Sequence, residues 1–197
     1  MDLDKVIGVE EAAVLWGLSP GYIKNLCAKS EVVSKKIGKT WVIDATQNHP
    51  ALCLYIKNIQ GAPFVKEVCI SGKSKNVAIQ YVDSFDEYVT LNQNPGNDAK
   101  TYEEYFGTGD RINKILTQES ARLLRQFSFL ENVLINIPFK GIVYEIELNR
   151  DKLNNYLGYK IEDLSIQDRT WHQDFLEKHA YPKEGRARLI NEFVKIK

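Results

Sequence analysis

The sequence predicts an α+β protein built in two parts: a small helix–turn–helix with a β-hairpin, then a helix-rich α+β domain. Three observations carry this. Two short runs of helical apolar periodicity flank Gly17-Leu18-Ser19-Pro20, two β-rich runs flank Gly38-Lys39, and strand-like and helix-like stretches mix after residue 63. The 197 residues have zero formal net charge, are 44% hydrophobic and 26% charged, and so exclude a disordered, collagen-like or rod-like chain. No apolar run reaches the roughly 18–20 residues of a membrane span, so no membrane partner is expected. The opening MDLDKVIG is acidic, unlike a secretory leader, and the expected location is the cytoplasm. Cys27, Cys53 and Cys69 are widely spaced and odd in number, which suits reduced thiols better than a disulfide framework or a zinc cluster.

The neutral total conceals a local split. Lys5 stands against Asp2, Asp4, Glu10 and Glu11 in residues 1–18, a net −3, while residues 19–43 carry Lys24, Lys29, Lys35, Lys36 and Lys39 against Glu31, a net +4. Val9, Ala12, Ala13 and Trp16 recur at helical spacing and predict a first helix over 9–16. Gly17 suits a turn that needs positive φ, Ser19 suits an N-cap, and Pro20 suits the first helical position. Ile23, Leu26 and Cys27 form the apolar stripe of a second helix, leaving Tyr22, Lys24, Asn25 and Lys29 on its open side. Val33–Ile37 and Thr40–Ile43 then read as a hairpin turning on Gly38-Lys39, with Ile37, Trp41 and Ile43 packing back on the helices. Helix, turn, helix and basic hairpin form a winged helix-turn-helix. Its second helix can enter a major groove while the hairpin meets flanking phosphates.

Glu10-Glu11-Ala12-Ala13, Gly17-Leu18-Ser19-Pro20 and Lys36-Ile37-Gly38-Lys39 occur in the order seen in a known family. Residues 6–45 resemble the small winged helices of phage and plasmid excisionases and MerR-type regulators. Where members often carry Glu-Gly after the second helix, this chain has Lys29-Ser30. The resemblance implies a double-stranded DNA partner and a role in regulating prokaryotic or mobile-element genes. The expected DNA-binding residues are Ser19, Tyr22, Lys24, Asn25, Lys29, Lys35, Lys36, Lys39 and Thr40. With no Arg before Arg111, base readout falls to Tyr22, Lys24 and Asn25.

The expected division is 1–46 for the DNA-binding domain, 47–62 for a linker holding a short apolar helix, and 63–197 for the α+β domain. Residues 64–70 and 76–82 predict a hairpin, and Ser84 with Glu87 a capped short helix. Residues 92–100 read as a polar loop. Thr117 reads as the N-cap of a long helix whose stripe runs through Leu123, Leu124, Phe127, Leu130, Val133 and Leu134 until Pro138 ends it. Residues 141–148 read as a strand, and Asn149 caps a helix closed by Gly158. Two further helices, 168–180 and 185 to the end, join at Tyr181-Pro182. The long apolar helix, together with a reader too small to bind tightly alone, predicts a homodimer; residues 63–197 are also where a protein partner or an effector would act.

No catalytic set, metal site or cofactor is assigned. Asp168, His172 and His179 share a helical stretch but lack a recognised ligand spacing and read as the edge of an amphipathic helix. Gly72-Lys73-Ser74 lacks the glycine frame of a phosphate loop. Phe106-Gly-Thr-Gly-Asp110 reads as a loop between helices, and Lys183, Arg186, Arg188, Lys195 and Lys197 as a solvated basic face. A faint echo of a PAS sensor around Tyr156–Leu164 fails because too few strands can follow. The alternative to a regulator is an enzyme, toxin or antitoxin-like module whose activity lies in 63–197.

Overall fold

The computed structural model describes residues 5–72 and 74–197, which divide into two compact units, Met1–Asn58 and Ile59–Lys197. The chain is α+β. In the first unit, Val6–Ile7 (β1) leads into Val9–Trp16 (α1) and Pro20–Ala28 (α2). Ser34–Ile37 (β2), Thr40–Asp44 (β3) and Pro50–Ile56 (α3) follow. The three strands form an antiparallel sheet in the order β1-β3-β2.

Each helix end is built by the chemistry its residues carry. The Glu11 carboxylate accepts the Gly8 amide at 2.8 Å, closing the α1 N-terminus. Gly17, at φ 60, ends α1, and the Leu18 amide returns to the Ala13 carbonyl at 3.0 Å. Ser19 Oγ accepts the Tyr22 amide at 3.2 Å, and Pro20 occupies the first turn of α2. No glycine ends α2. Ser30 takes the left-handed position at φ 57, with its amide on Cys27 O and the Glu31 amide on Leu26 O. Ala12, Ile23, Leu26, Cys27 and Ile43 are buried together, with Ile7, Leu18, Trp41 and Leu54 packed against them.

The expected linker 47–62 is divided between the units, because residues up to 58 fold onto the first. His49 Nε2 meets the Trp16 carbonyl at 2.9 Å, Lys57 pairs with Glu31 at 3.4 Å, and Leu52 and Ile56 are buried. Burial pushes the His49 imidazole down, and because a carbonyl only accepts, Nε2 is the donor to Trp16.

The second unit is organised on a five-stranded sheet in the order β4-β5-β6-β7-β8. Val65–Ser71 (β4) and Asn76–Tyr81 (β5) are the expected hairpin, and Ser84 caps Phe85–Leu91 (α4) by accepting the Glu87 amide. Ala99–Phe106 (α5) follows the polar loop, which is shorter than the sequence suggests because Asp98 caps α5 by accepting the Thr101 amide at 2.7 Å. Asp110–Lys114 (α6), the π-helical turn Ile115–Glu119 and Ser120–Gln126 (α7) run on without a break. Asn132–Phe139 (β6) then pairs parallel to β5. Ile142–Asn149 (β7), Arg150–Leu157 (α8), a π-helical segment Trp171–Ala180, Lys183–Phe193 (α9) and Val194–Ile196 (β8) complete the unit. Asn149 and Gly158 bracket α8 as expected.

The long helix expected over 117–137 is corrected at both ends. It begins at Asp110, and Thr117 lies inside it, its hydroxyl donating to the Asn113 carbonyl at 2.8 Å. It stops at Gln126 because the Arg150 guanidinium draws in the carbonyls of Leu124, Phe127 and Leu130 at 2.7–2.8 Å. Val133 and Leu134 belong to β6, whose Val133, Ile135, Ile137 and Phe139 are buried in strict alternation. Pro138 sits inside that strand, past the end of the parallel ladder at Asn136, where only β7 remains alongside. Leu123 and Leu124 are fully buried within the unit, so this helix presents no free stripe for a dimer. The helix expected up to the C-terminus also ends early, at Phe193, and β8 adds to the sheet edge.

Candidate nucleic-acid interface

All nine residues singled out in the first unit, Ser19, Tyr22, Lys24, Asn25, Lys29, Lys35, Lys36, Lys39 and Thr40, are exposed. On α2 this follows from the burial of the opposite stripe, since Ile23, Leu26 and Cys27 turn inwards and rotate Tyr22, Lys24, Asn25 and Lys29 out. Lys24, Lys39, Thr40 and Trp41 line one cleft of about 390 Å³ together with Glu10 and Glu11 at the start of α1. None of the five lysines makes an ion pair with a described residue, although Glu10 and Glu11 share the cleft with two of them. In the second unit, by contrast, Lys66, Lys75, Lys114, Lys140, Lys178 and Lys197 each sit against a carboxylate. In the first unit Lys57 pairs with Glu31, whereas the five lysines of α2 and the hairpin do not pair with a described carboxylate.

The hairpin register separates two lysines that the sequence places side by side. Gly38, at φ 61, and Lys39 make a two-residue turn, so Ile37 faces Thr40, Lys36 faces Trp41 and Lys35 faces Val42. Directly opposed residues share a face. Lys36 therefore lies on the side of Trp41 and buried Ile43, its ammonium 5.7 Å from the Trp41 ring centroid. Lys35 and Ile37 lie on the other side with Val42. Ile37 is 57% exposed, and the expectation that it packs on the helices is corrected. Trp41, Glu10 and Glu11 are the cleft residues that the sequence reading missed. Counting back from the turn would have found Trp41 beside Lys36.

The other candidates take different roles. The carboxylate of Asp168 accepts the Thr170 amide at 2.9 Å and its hydroxyl at 2.7 Å, and so fixes a turn. His172 Nδ1 lies 3.2 Å from Glu177, whereas His179 packs on Phe175 and Tyr156, and burial pushes its imidazole down. Among the described residues no three His, Cys, Asp or Glu side chains gather to hold a metal ion. Lys73 lies outside the described residues, so the Gly72-Lys73-Ser74 reading falls outside them too; β5 begins at Asn76. Gly107 follows α5 and Gly109, at φ 69, opens α6, as expected of a loop between helices.

Arg186 is not part of a solvated basic face. It is 5% exposed, donates to the carbonyls of Ala180 and Tyr181, and pairs with Asp110 at 2.5 Å. Glu119, in the π-helical turn, is fully buried with Arg122 at 3.3 Å, and its desolvation raises the carboxyl above its ordinary range. No helix among the described residues is long and apolar enough to cross a membrane. No family model, curated protein or solved structure matches this chain.

Proposed function

We propose that the first unit is a winged helix-turn-helix that binds double-stranded DNA, with α2 in the major groove and the β2–β3 hairpin against the phosphates, and that the protein is a regulator acting through this contact. The observation that carries the reading is the set of exposed lysines on α2 and the hairpin that have no carboxylate partner among the described residues, in a unit whose buried core fixes both elements. Free cations on a rigid frame release counterions from DNA at little cost in lost internal pairs. Ser19, Tyr22, Lys24, Asn25 and Lys29 then face the groove, and Lys36 and Lys39 the backbone, while Thr40, opposite Ile37, shares the other face. Lys35 lies on the far side of the hairpin.

Selecting bound duplexes from a random pool at low salt defines the preferred sequence, and titration of Asn25→Ala against it tests the reading. Asn25 is exposed on α2, where an amide can pair bidentately with adenine. The substitution costs about 1–3 kcal/mol on the selected duplex and little on a scrambled one. Absence of duplex binding at low salt, or an equal loss on both duplexes, refutes the assignment of α2 as the reader.

A further inference from the structure

The outer face of the three-stranded sheet carries apolar side chains where a solvated antiparallel sheet normally carries polar ones. Val6, Val33, Ile37 and Val42 line a dish of about 330 Å³, with Val33 65% and Ile37 57% exposed. Its rim carries Lys35, which makes no ion pair with a described residue, together with Lys5 and with Asp44, whose carboxylate accepts the amide and hydroxyl of Thr46. The same unit exposes a second apolar feature. Val14 is 85% and Leu15 55% exposed on α1, while Ala12, Ala13 and Trp16 turn inwards. On a helix, Glu10 lies beside Val14, and Glu11 beside Val14 and Leu15, at spacings of three or four residues. Glu11 is engaged with the Gly8 amide, and Glu10 makes no ion pair with a described residue.

The two surfaces are complementary in shape class and in charge: an apolar ridge edged by the Glu10 carboxylate, and an apolar dish edged by two lysines against one carboxylate, that of Asp44, already engaged by Thr46. From this we propose that the dish receives the α1 ridge of a second copy of the chain, Val14 and Leu15 seating among Val33, Ile37 and Val42 while Glu10 meets Lys35. The contact proposed is the single, head-to-tail one, which leaves each pair of copies with one free ridge and one free dish. So few side chains on either side make a weak, transient interface. The contact is independent of the DNA reading and forms without DNA.

The test is sedimentation equilibrium of the full chain without DNA, over about 10–500 µM, the range in which weak contacts populate. The wild-type average mass rises with concentration. Val14→Ser with Leu15→Ser, both at exposed positions, weakens association at least fivefold with unchanged circular dichroism. Glu10→Lys and Lys35→Glu each weaken it, and the two substitutions combined in one chain restore it, since the exchanged charges again meet as opposites. A wild-type chain that stays monomeric throughout overturns the proposal. So does association that survives the ridge substitutions, or a charge-swapped double variant no better than either single one. Duplex binding is titrated separately at nanomolar protein, so failure of one reading leaves the other intact.

Discussion

The hairpin register makes a sharp prediction about two adjacent lysines. If Lys24, Lys29, Lys36 and Lys39 each neutralise one phosphate, log K falls with log[salt] at a slope of about −3.6. Raising salt fourfold, from about 50 to 200 mM, then costs on the order of 150-fold in affinity. Removing Lys36 brings the slope to about −2.7 and the loss over the same range to about 40-fold. Removing Lys35 leaves the slope unchanged, because its side chain lies with Ile37 and Val42, away from Trp41 and the cleft. Fluorescence anisotropy of a labelled duplex at four salt concentrations, with Lys35→Ala and Lys36→Ala in parallel, measures both slopes. The reasoning fails if Lys35→Ala lowers the slope as much as Lys36→Ala, or if the wild-type slope is near zero.

Two further predictions concern stability. Ser30 holds a left-handed backbone at the end of α2, a conformation that costs a side-chain-bearing residue roughly 1 kcal/mol and glycine nearly nothing. Ser30→Gly therefore raises the stability of the first unit by up to about 1 kcal/mol in urea unfolding, and destabilisation refutes the strain argument. Glu119 is buried with its carboxyl raised, so the folded second unit holds its proton more tightly than the unfolded chain does. That contribution is complete below the unfolded carboxyl value and is lost as pH rises through the folded one. Glu119→Gln removes this loss, so its stability relative to wild type increases as pH rises from the ordinary carboxylate range towards neutrality. A relative stability that falls over that range means that Arg122, at 3.3 Å, holds the carboxylate ionised.

Local rules were enough for the first unit because its signals lie within a few residues of the atoms they act on. The Glu11 cap, the Gly17 turn, the Ser19 cap and the two-residue turn each satisfy backbone groups three to five positions away. The exposure of Tyr22, Lys24, Asn25 and Lys29 follows from the Ile23, Leu26 and Cys27 stripe. What the reading passed over was alternation: a turn of two residues already places Lys35 and Lys36 on opposite faces. The second unit was read less well because distant residues decide its elements. Leu130, Val133 and Leu134 satisfy a helical period, while Val133, Ile135, Ile137 and Phe139 satisfy a strand period. The choice depends on Arg150 capturing three carbonyls and on β5 and β7 flanking the strand. Arg186 looked like surface charge because its partner, Asp110, lies 76 residues earlier in the chain.

Symmetry connects the two proposals in a way that experiment can separate. An isologous dimer places its readers on inverted half-sites, whereas a head-to-tail contact relates successive copies by the same operation each time and so matches direct repeats. If the contact has a dissociation constant of about 100 µM, two copies on neighbouring sites at an effective concentration of about 1 mM gain roughly tenfold in affinity. That gain is confined to one orientation, since inverting a site turns the Val14–Leu15 ridge of one copy away from the Val33–Ile37 dish of the next. Duplexes carrying two copies of the selected sequence, in direct and in inverted orientation at one-turn spacing, measure this. Cooperative filling appears on the direct repeat alone and disappears with Val14→Ser and Leu15→Ser combined, substitutions that change no charge and leave affinity for a single site unchanged. Cooperativity on the inverted repeat instead would place the self-contact on a two-fold axis and rule out the head-to-tail arrangement.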